Sequence, residues 1–170
     1  SRFHFNVIFK DKDKELKSMT VDYGTVLNDS DIPKLTADGS EVPMWDKDVK
    51  SPIIRHTTFS AEYNKATTTI SSGEEPPLML AESVFADNTT LSLKEEDVDH
   101  VFDGYKNGKA YSFTLSKDAY DVIKVHIRDD KKKAAKIAVQ IDGKWSMVDC
   151  TIDGSYAVFE TAKPCKYVLL

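Results

Sequence analysis

The chain has 170 residues, which allows one large or two small domains. It is 41% hydrophobic and 30% charged, with a net charge of −5 and its lysines and arginines dispersed among acids. That balance is ordinary for a globular protein, and it argues against a nucleic-acid surface, which needs a concentrated basic face. No run approaches the ~20 apolar residues of a membrane span, so no membrane insertion is expected.

The chain opens on FHFNVIFKDKDKELKSMTVDYG, Phe3 to Gly24. Phe3, Phe5, Val7 and Phe9 fall on one face of a strand, because side chains alternate with period two. A charged turn, Asp11 to Lys14, leads to a second strand through Leu16, Met19 and Val21. Asn28, Asp29 and Ser30 can cap a short helix, with Pro33 near its first turn. Val42, Met44 and Trp45 form a third strand, and Phe59, Ala61 and Tyr63 alternate in a fourth. Trp45 is expected to anchor the core opposite Phe5, Val7 and Phe9. Some 63 residues is near the lower limit for an independent core.

FNVIFKDKD, VDYG, the Trp45–Asp46 pair and TTFSAEY together resemble the internalin-type B repeat, also called the Listeria–Bacteroides repeat. The resemblance covers about residues 3–64. It implies a small β-grasp-like α+β domain of a bacterial surface protein. Met44 stands where that family usually has glycine, and Asp13–Lys14 where its first hairpin usually has Asp-Gly. A non-glycine there implies a different turn type.

Residues 67–77, within NKATTTISSGEEPP, read as a linker: threonine, serine, glycine and a Pro-Pro step crowd together with little to bury. The Thr-rich part could equally extend the preceding strand, since Thr favours strands. The expected division is therefore a B-repeat-like domain over 1–66, a linker over 67–77 and a second domain over 78–170.

In the second half, Leu78 to Phe85 reads as a strand. Ser92 and Glu95 form a capping-box pattern, followed by Val98, Val101, Phe102 and Tyr105 at helical spacing, so a short helix is predicted there. Asn107–Gly108 is a hairpin signal. Tyr111, Phe113 and Leu115 alternate, Val122 to Ile127 and Ile137 to Ile141 are strand-like, and Asp142–Gly143 and Asp153–Gly154 mark turns. Strands with turns every 8–12 residues predict an antiparallel β-sandwich. AYSFTLS, VIKVHI, KIAVQIDGKW, DGSYAVFET and the closing KYVLL resemble a β-sandwich module of secreted or wall-linked Gram-positive proteins, over about residues 105–170. The fold class expected for the whole is mainly β.

Motifs for chemistry are sparse. His4, His56, His100 and His126 have no metal-ligand spacing, and His126 lies inside an alternating strand. Asp11, Asp13 and Glu15 mimic the start of a calcium loop, but Leu16 stands where such a loop needs glycine. Glu74–Glu75 and Glu95–Glu96 are sequence neighbours, with no sign of the facing pair that glycoside hydrolysis requires. The run Lys131–Lys132–Lys133, flanked by Asp129 and Asp130, reads as a solvated loop. No nucleophile elbow or phosphate loop is readable, so neither an enzyme nor a cofactor is expected. Cys150 and Cys165 can pair or remain as small apolar fillers.

Tyr105, Tyr111, Tyr120, Trp145 and Tyr156 are the candidates for ligand contact through a sugar-binding platform, although strand aromatics are more often core. Ser1 opens almost directly into a strand and Leu170 closes one, so a longer parent chain is expected. The first expectation for function is a non-catalytic, monomeric pair of β domains from a secreted or cell-surface bacterial protein. It would act in spacing, adhesion or presentation toward a host or wall protein or glycan. The alternative is an accessory carbohydrate-binding module of a larger extracellular enzyme.

Overall fold

The structure, a computed structural model, describes residues 3–170. It is mainly β: among the described residues the regular elements are thirteen strands and one three-residue 3-10 turn. The chain divides into two compact units, 1–65 and 66–170.

In the first unit, β1 (His4–Asp11) and β2 (Lys14–Asp22) form an antiparallel hairpin, with a register shift between Phe9 and Lys10. Its turn places Lys12 at φ 58°, in the left-handed region. A 3-10 turn at Asp29–Asp31 stands where a capped helix is predicted, and Asn28 makes no side-chain cap bond. It is the one helical element among the described residues, so the helical part expected of an α+β domain reduces to this turn. β3 (Glu41–Trp45) pairs antiparallel with residues 61–65 of β4 (Thr57–Ser71), and β1 pairs parallel with residues 57–60 of the same strand.

The core of this unit is Val7, Phe9, Val21, Leu27, Ile53 and Phe59. Phe9 stacks on Phe59 at 5.1 Å between ring centroids, and Trp45 meets Phe9 edge-on, also at 5.1 Å. Trp45 is only half-buried, at the rim of the aromatic cluster. The apolar alternation of Phe3 to Phe9 also outruns the core: Val7 and Phe9 are fully buried, Phe5 is half-buried, and Phe3, just before β1, is 68% exposed.

β4 runs through the unit boundary. Its residues 66–71 pair antiparallel with β5 (Met79–Ala86), so much of the expected linker 67–77 is strand. The β-favouring threonines outweigh the polar, linker-like composition, and Ile70 packs against the second unit's core. The irregular part is confined to 72–78, with a cis Glu75–Pro76 peptide.

The second unit is sandwich-like, with two sheets. One runs β11 (Thr151–Asp153), β12 (Tyr156–Thr161), β8 (Ile123–Arg128), β5 and the end of β4. The other runs β10 (Lys144–Asp149), β9 (Lys136–Ile141), β13 (Lys166–Leu169), β7 (Ala110–Leu115) and β6 (Leu91–Glu95). Alternate residues of both fill one core. Met79, Ala81, Ile123, Val125, Ile127, Ala157 and Phe159 come from the first sheet, and Leu91, Tyr111, Phe113, Ile137, Val139 and Tyr167 from the second. The β9–β10 turn has Asp142 at φ 52° and Gly143 at φ 77°, as a two-residue hairpin requires.

The helix predicted after Ser92 is absent. Ser92 faces Thr114 and Leu93 faces Phe113 within the β6–β7 ladder, so period-two burial of Leu91 and Leu93 prevails over the capping pattern. Residues 96–109 then form a long irregular loop. Val98, Phe102 and Tyr105 pack with Trp145 against Ala110, Ala138, Val168 and Leu170, on the opposite face of the second sheet. Val101, the remaining member of the apparent helical stripe, is 81% exposed. Asn107–Gly108 is no hairpin. Asn107 Nδ2 donates to the carbonyls of Val98 (3.2 Å) and His100 (3.0 Å), closing the loop on itself. Gly108 N–H donates to Leu169 O at 2.7 Å, and a Cβ at Gly108 would lie 2.8 Å from that oxygen.

Two stability outcomes follow from this packing. Phe9→Ala is expected to cost about 3–5 kcal/mol, as for other fully buried aromatics, and Trp45→Ala about half as much because its ring is at the rim; chemical denaturation of each variant decides, and equal losses would place Trp45 at the centre of the core. Residues 66–170 expressed alone are expected to give a dispersed amide spectrum. Residues 78–170, which lack the last six residues of β4, are expected to unfold at lower denaturant because β5 loses its neighbour. Identical midpoints would show that the strand adds nothing to the second unit.

Candidate ligand-binding cleft

A cleft of the second unit has a volume of about 730 Å³. One wall is the end of the long loop, residues 104–109; the other is the turn after β8, with Arg128, Asp129, Asp130, Lys131, Lys133 and Ala134. Tyr111, Leu169 and Leu170 line it between those walls.

Each wall is pinned by backbone chemistry. In the β8 turn, Asp129 Oδ2 accepts the N–H groups of Lys133 (3.1 Å) and Ala134 (3.0 Å), and its carbonyl accepts Lys132 N–H at 3.0 Å. Lys132 sits at φ 54° in this tight turn, and Lys131 and Lys133 on either side of it reach the cleft. On the opposite wall, Gly104 takes φ 82° and Tyr105 N–H donates to Phe102 O at 3.0 Å. Leu169 N–H donates to Lys109 O at 3.0 Å and Leu170 O accepts Ala135 N–H at 2.7 Å, so main-chain groups of the cleft are engaged within the fold.

The charge lining the cleft is unbalanced. Lys106, Lys109, Arg128, Lys131 and Lys133 face only Asp129 and Asp130. Asp129 is held by backbone N–H groups. Asp130 lies 3.7 Å from Arg128 Nε, and the Arg128 guanidinium also donates to Pro76 O at 2.6 Å. The four lysines have no acidic partner among the described residues. The lysine run is exposed, but two of its members belong to a concave surface.

Of the aromatic candidates, Tyr105 and Tyr111 line this cleft. Tyr105 is half-buried; Tyr111 is 7% exposed and mostly a core side chain, 5.9 Å from the Tyr167 ring. Trp145 and Tyr120 lie elsewhere. Trp145 packs edge-on to Phe102 at 5.2 Å, and Tyr120 is exposed with its N–H bonded to Val84 O. Tyr156 donates its hydroxyl to Pro77 O at 2.8 Å. Sequence reasoning missed the lysines and Arg128. Their signal was a basic run, and its convergence with Lys106 and Lys109 is a matter of tertiary fold.

The histidines occupy structural contacts. His56 Nδ1 accepts Asn6 N–H at 2.9 Å, His4 Nδ1 lies 2.7 Å from Asp22, and His126 Nε2 lies 3.2 Å from Glu82. Among the described residues no three His, Cys, Asp or Glu side chains cluster as metal ligands, and no helix is long and apolar enough to cross a membrane. Cys150 and Cys165 are both free. Burial pushes the Cys165 thiol up to about 11; burial and then the charge of Asp129 also raise Cys150.

Comparison with protein-family models, with curated proteins and with solved structures finds no match.

The thiols give an outcome that checks the packing. The thiolate is the reactive form, so both cysteines are expected to alkylate more slowly than a free thiol at about pH 8, and half-buried Cys150 before buried Cys165. Mass spectrometry of native protein treated with iodoacetamide reads the order. Faster labelling of Cys165 would mean that the segment before β13 opens.

Proposed function

We propose that the chain is a pair of non-catalytic β modules from a secreted or cell-surface bacterial protein, acting in spacing, adhesion or presentation. The observation that carries this reading is that each unit closes a core of its own, around Phe9 and Phe59 in the first and around Tyr167 and Phe85 in the second. Self-contained cores in series suit a chain whose task is to hold surfaces in place. The first unit is read as a β-grasp-like domain of the B-repeat kind. Its opening hairpin and the parallel β1–β4 pair support this, since a parallel pair needs a long crossover, here supplied through β2, the 3-10 turn and β3. The second is read as a β-sandwich module.

One specific observation favours the second reading, an accessory carbohydrate-binding module. Half-buried Tyr105 lines a cleft, and a tyrosine offers an apolar face with a polar edge to a sugar. The test of the first reading is a broad panel of hydrolase substrates incubated with the full chain, where no turnover above blank is expected. Turnover that disappears on changing a single polar residue would overturn it. A glycan array followed by calorimetry separates the two readings, because binding to a wall or plant polysaccharide at millimolar concentration or below belongs to the second.

A further inference from the structure

We infer that the cleft between residues 104–109 and the β8 turn is a binding site for an acidic polysaccharide, its sugars bearing carboxylate or phosphate groups. This deepens the second reading, a non-catalytic carbohydrate-binding module, and rests on it.

The anionic character of the ligand follows from the lining. Lys106 and Lys109 on one wall and Lys131 and Lys133 on the other bring four unpaired ammonium groups to one concavity. The chain as a whole carries a charge of −5, so this concentration is local and opposes the overall field. The two acids in the cleft do not cancel it, because five cations, Arg128 included, outnumber them. Asp129 receives two backbone N–H bonds, and Asp130 lies beside Arg128. Ammonium groups on opposite walls repel when the cleft is empty, and an anion between them removes that repulsion.

The saccharide character follows from what the cleft withholds. An extended acidic peptide would be expected to add its main chain to a free strand edge. Here β13 is flanked by β7 and β9, and the carbonyl of Lys109 and the N–H and C=O groups of Leu169 and Leu170 are already paired. Recognition must therefore come from side chains: the ammonium groups for charge and the half-buried Tyr105 ring for an apolar sugar face. At about 730 Å³ the cleft is large enough for a short stretch of sugar units.

Calorimetric titration of the full chain tests this with three probes: polygalacturonate, its fully methyl-esterified form and poly-L-glutamate. The first carries sugar and charge, the second sugar alone and the third charge alone. Polygalacturonate is expected to bind, and to weaken steeply as salt rises, since exposed charges are screened over about 8–10 Å near physiological ionic strength. The other two should bind about tenfold more weakly or less. The double variant Lys131→Glu/Lys133→Glu should lose about tenfold for polygalacturonate. The remote charge reversal Lys14→Glu/Lys34→Glu, in the first unit, should lose little. Tyr105→Leu, which keeps apolar bulk without the phenol ring, should weaken binding while the salt dependence remains. Circular dichroism melts confirm that each variant is folded. Equal affinity for poly-L-glutamate would make the site a peptide site, and equal losses in the two double variants would make the binding non-specific; either overturns the proposal, as does an absence of binding. Assaying the same mixtures for new reducing ends separates the two levels. Sugar release would defeat the non-catalytic reading, whereas lack of binding without release defeats the acidic-polysaccharide site alone.

Discussion

The second unit depends on a strand with no solvent face. β13 lies between β9 and β7, and its residues Tyr167, Val168 and Leu169 are all buried. Tyr167 points into the core between the sheets, and Val168 joins the cluster on the opposite face. Both faces of the sheet must therefore be covered, at ~1.5–3 kcal/mol for each large apolar side chain kept from water. One cover is the other sheet. The other is the irregular loop 96–109, whose Phe102 and Val98 pack on Ala138, Val168 and Leu170. Doubly covered strands read as continuous apolar runs, such as Ile137–Ala138–Val139, rather than as alternation. The loop that completes this burial is also the loop that carries Tyr105, Lys106 and Lys109 to the cleft, so the candidate site is a by-product of covering the sheet.

The first unit solves a smaller problem with aromatic side chains. Few residues are available to exclude water, and a small domain buries a small fraction of its surface. Phe9 sits between Phe59, stacked, and Trp45, edge-on, so one ring ties β1, β3 and β4 together. The pairing of β1 with both β2 and β4 fixes the side of the hairpin that faces inward, since a one-residue slip would put Val7 and Phe9 in water. Tyr63 closes the far end by donating its hydroxyl to Asp11 at 2.8 Å.

Strands with simple alternation were legible in the sequence. Phe5–Val7–Phe9, Tyr111–Phe113–Leu115 and the Val122–Ile127 run carry period two, and Asp142–Gly143 supplies the left-handed pair that its turn demands. What was not legible shares one physical cause: a local pattern overruled by partners distant in sequence. Ser92 and Glu95 offer a helix cap, yet the ladder with β7 takes them as strand residues. Asn107–Gly108 offers a hairpin turn, but Asn107 bonds back to Val98 and His100 while Gly108 gives its N–H to a carbonyl some sixty residues later, at Leu169. The Thr-rich end of β4 looks like a linker until β5 pairs with it. Even the apolar alternation that leads into β1 stops being core at Phe3, which is 68% exposed.

The cleft shows the same limit in its electrostatics. Read along the chain, Asp129 and Asp130 beside Lys131–Lys132–Lys133 suggest a charge run that compensates itself in solvent. In three dimensions the compensation is broken by geometry. Backbone N–H groups of Lys133 and Ala134 claim Asp129, and Arg128 lies beside Asp130. The left-handed turn at Lys132 separates its two neighbours from it, and only those two join the wall opposite Lys106 and Lys109. Both carboxylates keep their charge, but five cations converge on these two acids at the cleft. Positive charge at this cleft therefore arises from the fold that brings Lys106 and Lys109 to the β8 turn, a convergence that the run read along the chain does not contain.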